Sequence, residues 1–208
     1  MSISDSYLAS PAIFTSEFFK IANSEAPPST APTPWTQWFE RVMLKLGQKH
    51  GIYCQNLQTI CPSGHNEEWM EVDHVFLRTN RYDNFPLIVV EHENGGMCDE
   101  TLRGEIPRGD AVGAFFEWAA WKSLAMMSEL HVLVGYPHPK YKTEVFALLN
   151  SMVQGWARQF GHLPNALFLL GWWSTDSTSL PVPWMAERLF DPYVVEKSDK
   201  GAVQLISL

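Results

Sequence analysis

Pro86-Leu-Ile-Val-Val-Glu-His-Glu93 is the stretch of sequence that decides the fold. Its four consecutive apolar residues, three of them β-branched, predict a strand that is buried on both faces. Because side chains alternate along a strand, Glu91 and Glu93 are expected on one face and His92 on the other. Two carboxylates therefore point the same way at the end of an apolar strand.

The segment before this strand supplies a partner strand and a third acid. Residues 68–78 predict a strand in which Asp73 shares a face with Val75 and Leu77. Residues 80–84 are polar and turn-like, so the two strands are expected to form an antiparallel hairpin. This pairing would bring Asp73 close to Glu91.

The hydrophobic pattern of the remaining chain alternates between helical and strand periods. It predicts a helix ending before Gly51, strands at 52–60, 68–78 and 86–93, a helix at 111–128, a strand at 130–136, a helix at 140–161, a strand at 166–173 and a hairpin at 193–206. An antiparallel start followed by β-α-β crossovers predicts an α/β fold, with a central mixed β-sheet and helices on its faces. The helix at 111–128 is mostly apolar and is expected to be buried on most sides.

Residues 24–34 carry four prolines and few bulky apolar groups, which is typical of an extended linker. We therefore divide the chain into an N-terminal extension with a Pro-rich linker at 1–34 and a single α/β domain at 35–208. Apolar residues of the extension, such as Phe14 and Phe18, predict a short helix that docks on the main body.

Composition excludes several classes of protein. Lys and Arg number 15 against 23 Asp and Glu, a net charge of −8, which is unfavourable for non-specific nucleic-acid binding. No apolar run is long enough for a membrane span, so no membrane partner is expected. Three cysteines without a CxxC and no signal-peptide pattern predict a cytoplasmic protein. The GxSxG, GxGxxG, P-loop and HExxH signatures do not occur in the sequence.

The clustered acids point to a metal-dependent chemistry. Carboxylates that are forced together raise one another's pKa, and a divalent cation relieves that repulsion. Mg²⁺ prefers a few carboxylates together with water and phosphate oxygens. It then activates water and stabilises an in-line displacement at phosphorus. The metal ligands predicted here are Asp73, Glu91 and Glu93.

Glu71-Val-Asp73, followed by Glu91-His92-Glu93 after an apolar strand, resembles the motifs of the PD-(D/E)xK nuclease superfamily. The resemblance covers residues 35–136, about half the chain. It implies a restriction-endonuclease-like core followed by the C-terminal hairpin. It also implies cleavage of DNA phosphodiesters with Mg²⁺ or Mn²⁺, and a homodimer, since many restriction-type nucleases cut as dimers.

One position departs from the family pattern. Glu93 occupies the place of the motif lysine, although a Glu-x-Glu version is known among restriction endonucleases. The resemblance makes Lys122 a substitute for that lysine, because the following helix lies beside the site in this fold. Glu117 lies about 140° from Lys122 around the same helix, so at most one of the two faces the site. The set of catalytic residues implied is Asp73, Glu91, Glu93 and Lys122, with Glu40 as an extra acid.

Two other functions stay open. A nuclease-fold protein that has lost catalysis would serve as an interaction or assembly module. A small-molecule hydrolase or metal-binding protein would use the same carboxylates. Clustered acids with raised pKa values and a basic rim would favour the nuclease, whereas an exposed apolar patch would favour the module.

Several residue groups also have structural explanations. His92 is expected to be a satisfied core or edge histidine rather than a ligand, and the pair Met126-Met127 and the tryptophan pairs are expected in the core. The spacing of Cys54, Cys61 and His65 matches no standard zinc site. The remaining sets are a basic stripe and a possible basic rim around the acids: Arg41, Lys45 and Lys49 for the stripe, and Arg78, Arg81, Arg103 and Arg108 for the rim.

Overall fold

The computed structural model describes residues 7–25, 32–56, 72–79, 85–93, 114–172, 184–199 and 201–208. The predicted turn at 61–66 and the predicted loop at 94–110 lie outside these residues. So do most of the Pro-rich linker and the first part of the predicted strand at 68–78.

In the part of the chain that the structure describes, seven strands form one mixed sheet whose spatial order follows the chain. The strands are β1 (Tyr53–Asn56), β2 (His74–Leu77), β3 (Ile88–Glu93), β4 (Leu130–Gly135), β5 (Ala166–Gly171), β6 (Phe190–Lys197) and β7 (Val203–Ser207). The central strands β3, β4 and β5 are parallel, and the outer pairs are antiparallel. The prediction of an α/β fold with a mixed sheet, flanked by helices and closed by a hairpin, is confirmed.

Within the described residues, four α-helices cover the two faces of the sheet: α1 (Pro11–Ser24), α2 (Pro32–His50), α3 (Ala114–Ala125) and α4 (Lys142–Phe160). Helices α1 and α2 share one core with the side chains of Val90, Val132 and Leu169. Helices α3 and α4 share another core with Leu133 and Phe168, on the opposite face. Both parallel crossovers thus pass over the same face, as right-handed connections require when the strands add in chain order. No helix within the described ranges combines the length and apolar character needed to cross a bilayer.

Helix α1 belongs to the main hydrophobic core. Phe14 and Phe18 are fully buried, and the ring of Phe18 lies 6.0 Å from that of Phe39 and 5.6 Å from that of Phe190. Aromatic rings at these separations pack favourably beyond the area they bury. The segment before the Pro-rich linker therefore packs in one core with α2 and β6.

The basic stripe on α2 faces α1. Arg41 and Lys45 both pair with Glu25, and the Lys49 ammonium lies 2.5 Å from a carboxylate oxygen of Glu17. These cations join two helices, so a phosphate backbone would have to compete with protein carboxylates for them.

The prediction that the third helix is buried on most sides is wrong. Trp118 and Trp121 of α3 are 56% and 52% exposed. Helix α3 also ends at Ala125, which leaves Met126 and Met127 beyond it, and Met127 is exposed rather than in the core. The physical reason is that the sheet covers only one side of the helix, and the smaller residues Ala119, Ala120 and Ser123 occupy that side.

Candidate functional site

Asp73 and Glu91 lie next to each other on neighbouring chain segments, near the end of the sheet at which β3 ends. In the antiparallel pair of β2 and β3, His74 lies opposite Val90 and Val75 opposite Val89. Extending this register by one residue places Asp73 opposite Glu91. The backbone N–H of His92 donates a hydrogen bond of 2.7 Å to Oδ2 of Asp73. Asp73 is thereby held against β3 just before β2 begins.

Glu91 is a buried acid with one paired and one unpaired oxygen. Its residue surface is 2% exposed, and Nζ of Lys122 lies 3.0 Å from Oε2. Within the described part of the chain, Oε1 is buried and has no hydrogen-bond partner. An orphaned carboxylate oxygen in such a position costs free energy unless a ligand satisfies it.

Helix α3 brings Lys122 to Glu91 from the face that carries the two acids. The side chain of Lys122 is 17% exposed, so its apolar stem lies along the protein surface while the ammonium reaches the carboxylate. Glu117 is exposed on another side of the same helix. The prediction that only one of these two residues faces the acids is confirmed, and that residue is Lys122.

The electrostatics of the cluster favour protonated acids. Burial, and then the charge of Asp73, raise the pKa of Glu91 to about 8 despite the nearby ammonium of Lys122. Burial also raises the pKa of Asp73, and the hydrogen bond from the His92 backbone opposes that shift. Raised pKa values for neighbouring carboxyl groups are typical of functional sites.

Two further acids lie within electrostatic range. Glu93, the last residue of β3, is half-buried, and its charge raises the pKa values of both Asp73 and Glu91. Glu40 of α2 is also half-buried and raises the pKa of Asp73 more weakly. All five residues that the sequence proposed for the site therefore interact at one edge of the sheet.

His92 packs on the face of the sheet opposite Glu91 and holds β3 in place. Its ring stacks on Phe39 at 3.9 Å between centroids, and its Nε2 lies 2.9 Å from the hydroxyl oxygen of Tyr136. Burial lowers the pKa of His92 to about 3, so the ring is neutral. The expectation of a core histidine is confirmed, and its packing fixes the strand that carries Glu91.

The predicted basic rim does not form at Arg78. Arg78 follows the opposite end of β2 from Asp73 and pairs with Glu129. Five residues of extended chain separate Arg78 from Asp73 by roughly 16 Å. The other arginines of that set, Arg81, Arg103 and Arg108, lie outside the described residues.

The zinc pattern is represented only by Cys54 among the described residues. Burial raises the pKa of its half-buried thiol to about 12. Cys61 and His65 lie outside the described residues.

A separate apolar groove of about 800 Å³ opens at the other end of the sheet. Residues from α3, α4 and the segments leading into β4 and β5 line it, among them Trp121, Met152, Trp156 and Asn165. Because Glu129 and His131 also line it, it lies at the start of β4, whereas the carboxylates lie at the end of β3. The groove is therefore distinct from the acidic cluster.

Sequence reasoning missed the residues that shape the surroundings of the acids. Tyr136 is only the last residue of the strand predicted at 130–136, and Phe39 is one apolar residue within the helix predicted to end before Gly51. Their contacts with His92 depend on the packing of α2 over the sheet, for which local sequence holds no signal.

Among the described residues, no group of three or more His, Cys, Asp or Glu side chains is arranged to hold a metal ion. Carboxylate oxygens, such as those of Asp73 and Glu91, are the type of ligand that a hard cation such as Mg²⁺ prefers, together with several waters. Comparison of the chain with known protein families, with curated proteins and with solved structures finds no significant match.

Proposed function

We propose that this protein is a metal-dependent nuclease that hydrolyses nucleic-acid phosphodiester bonds, with DNA as the expected substrate. One observation carries the proposal: Glu91 is buried beside Asp73, with Lys122 on one of its oxygens and no described partner on the other. A protein that keeps such a charge cluster for stability alone would gain by replacing it with apolar side chains.

Asp73 and Glu91 would hold Mg²⁺ or Mn²⁺. One oxygen of Asp73 accepts the His92 N–H, and Oε1 of Glu91 has no hydrogen-bond partner among the described residues. Glu93 would bind the metal or orient water, and its place at the end of β3 fits either role. When bound, the metal supplies activation of water and stabilisation of charge at phosphorus.

Lys122 would take the part of the motif lysine that Glu93 displaces. Its ammonium is held 3.0 Å from Glu91 and partly shielded from solvent, where a positive charge acts more strongly than in water. In this position it would orient Glu91 and supply positive charge to an attacking water or a phosphoryl oxygen. A cytoplasmic location and a homodimer belong to the same proposal, on the cysteine content and on the family resemblance.

A second function deserves its own test, because exposed apolar residues favour it. Trp118, Trp121 and Met127 are all more than half exposed, which is the surface expected of an interaction or assembly module. In that case the carboxylates would be a remnant, and a metal would not affect the protein.

The experiment that tests the proposal is cleavage of plasmid DNA and short single strands by the purified protein, with Mg²⁺, Mn²⁺ or EDTA. Asp73→Asn, Glu91→Gln and Lys122→Met are run beside the wild type. Glu117→Gln is the matched control, since it removes an exposed carboxylate from the helix that carries Lys122.

Metal-dependent cleavage that is lost in the three site variants and kept in Glu117→Gln would support the nuclease. A rise in the wild-type melting temperature with Mg²⁺ or Mn²⁺, absent in Asp73→Asn, would support the metal site independently of substrate choice. The absence of both cleavage and a metal-dependent shift in melting temperature would refute the proposal and favour the interaction module.

A further inference from the structure

Two tryptophans form an exposed aromatic surface on α3. The rings of Trp118 and Trp121 are stacked, with centroids 5.0 Å apart and planes 15° apart. Each residue is more than half exposed. Large aromatic side chains usually lie in a core or an interface, so a stacked pair in solvent requires an explanation.

The direction of α3 places Trp118 on the side of the acids, whereas Trp121 also lines the apolar groove at the start of β4. Lys122 reaches Glu91, and Met126, one turn further along, packs against the cluster that contains Val89. The helix therefore runs antiparallel to β3. Trp118 lies one turn before Lys122, about 6 Å along the helix axis, and hence on the side of Glu93, where β3 ends.

The direction in which helical side chains point also places the indole of Trp118 toward the end of β3. Helical side chains point back toward the start of their helix, which here is the direction of the strand end. Trp118 and Lys122 are four residues apart and so lie almost one above the other on the helix surface. A molecule bound at the carboxylates could therefore extend onto the indole of Trp118.

The pair by itself is too small for a stable protein interface. Two half-exposed indoles offer roughly 250 Å² of surface, whereas a stable interface needs about 800 Å² from each partner. A flat ligand of the size of one aromatic ring system matches the surface better.

The charge of the protein indicates which part of a nucleic acid would contact the two tryptophans. Most of the described cations near α1 and α2 are paired with protein carboxylates, as Arg41, Lys45 and Lys49 show, and the chain carries a net charge of −8. Phosphate contacts alone are then a weak source of affinity. Stacking of bases on aromatic rings does not depend on the charge of the protein, and it requires bases that are not already stacked within a duplex.

We propose that Trp118 and Trp121 form a stacking platform for an unpaired base, so that the substrate class is single-stranded nucleic acid. This inference rests on the proposed nuclease function, because the platform is assigned to the strand that enters the carboxylate site. A nucleotide next to the scissile phosphodiester stacks on Trp118, and the platform positions that phosphodiester at Asp73 and Glu91.

The test measures binding and cleavage separately on the full chain. Binding is followed by the fluorescence anisotropy of labelled short oligonucleotides in EDTA: single-stranded DNA, single-stranded RNA of the same sequence, and a blunt DNA duplex. The variants are Trp118→Ala, Trp121→Ala and the conservative Trp118→Phe. Phe85→Ala is the control, because Phe85 is 67% exposed and precedes the opposite end of β3.

We expect the wild type to prefer single strands, and Trp118→Ala to bind them roughly 5-fold or more weakly, the loss typical of removing one base-stacking side chain. Trp118→Phe should retain most of the affinity, and Phe85→Ala should bind like the wild type. Comparing the affinities for single-stranded DNA and for RNA of the same sequence shows whether the protein prefers deoxyribose or ribose strands. Thermal melts of each variant establish that the fold is intact.

Failure of this inference is distinguishable from failure of the nuclease function. If the protein cleaves nucleic acid, but the tryptophan variants bind and cut single strands like the wild type, the platform is refuted and the nuclease stands. If single strands bind through Trp118 but are never cut, the platform is supported and the nuclease falls. A wild type that prefers the duplex, or a tryptophan variant whose only defect is loss of self-association, would overturn the platform.

Discussion

Replacing Glu91 by Gln should make the metal-free protein more stable at high pH. The pKa of Glu91 rises from an ordinary value of 4.5 to about 8, chiefly through burial and then through the charge of Asp73. A carboxyl group whose pKa is raised on folding contributes its full stability below pH 4.5, and that contribution is lost as the pH rises toward 8. Glutamine has a similar shape and cannot ionise, so the variant escapes this loss.

The expected magnitude follows from the size of the pKa shift. Each pH unit in the interval corresponds to about 1.4 kcal/mol, so the interval of about 3.5 units from 4.5 to about 8 amounts to several kcal/mol, of order 5 at most. At pH 5 the wild type and Glu91→Gln should differ little, because Glu91 is then neutral. At pH 8 and above, the variant should have the larger free energy of unfolding.

The assay is urea unfolding in EDTA at half-unit steps from pH 5 to pH 9, analysed as the difference between wild type and variant so that other titrating groups cancel. Glu117→Gln provides the baseline, since it alters an exposed acid and should parallel the wild type at every pH. A difference that stays constant with pH would refute the reasoning. So would a wild type that gains stability over the variant as the pH rises, since the ion pair with Lys122 would then outweigh burial.

Three further predictions concern the scaffold. Phe18→Ala should lower the free energy of unfolding by about 3–5 kcal/mol, because it opens a cavity among buried rings; urea denaturation measures this, and a loss under 1 kcal/mol would contradict the placement of α1. Gly135→Ala should destabilise by about 1–3 kcal/mol, since its Cβ would lie 2.5 Å from Cε2 of Phe116; a melting temperature equal to the wild type would show that the ring moves aside freely. The pKa of Glu17 is lowered from 4.5 to about 2 by hydrogen bonds from Lys20 and then Lys49, so its stabilising contribution is present above pH 4.5 and is lost as the pH falls toward 2. Glu17→Gln should therefore make the melting temperature depend less on pH between pH 4.5 and pH 2. Identical melting profiles of wild type and variant in this range would refute the role of Glu17.

The strands were predictable because their physical cause is local. The apolar runs of β3, β4 and β5 are buried on both faces, as expected for central parallel strands. The alternation of side chains along β3 predicted that Glu91 and His92 lie on opposite faces of the sheet. The register of the hairpin predicted that Asp73 lies beside Glu91. Proximity of the acids therefore follows from strand period and turn position alone.

The properties that make the cluster chemically unusual were not predictable from the sequence. The burial of Glu91 and its contact with Lys122 depend on how far α3 lies from the sheet, which is set by the side chains of both cores. Helical spacing predicted that Lys122 and Glu117 diverge, and only the family resemblance favoured Lys122 as the residue that faces the site. The exposure of Trp118 had no local signal either, because an apolar residue at a helical position usually indicates a buried face.

The position of α1 has a consequence for how the chain acquires its structure during synthesis. Strands β1 to β7 are neighbours in chain order, so the sheet can grow as the chain lengthens. Helix α1 differs, because Phe18 contacts Phe190 and Asn23 bonds to Glu187, 164 residues later. At the usual rates of translation, of order 10 residues per second, roughly 16 seconds separate the two segments. The aromatic residues of α1 thus reach their last neighbours only after most of the sheet has been synthesised.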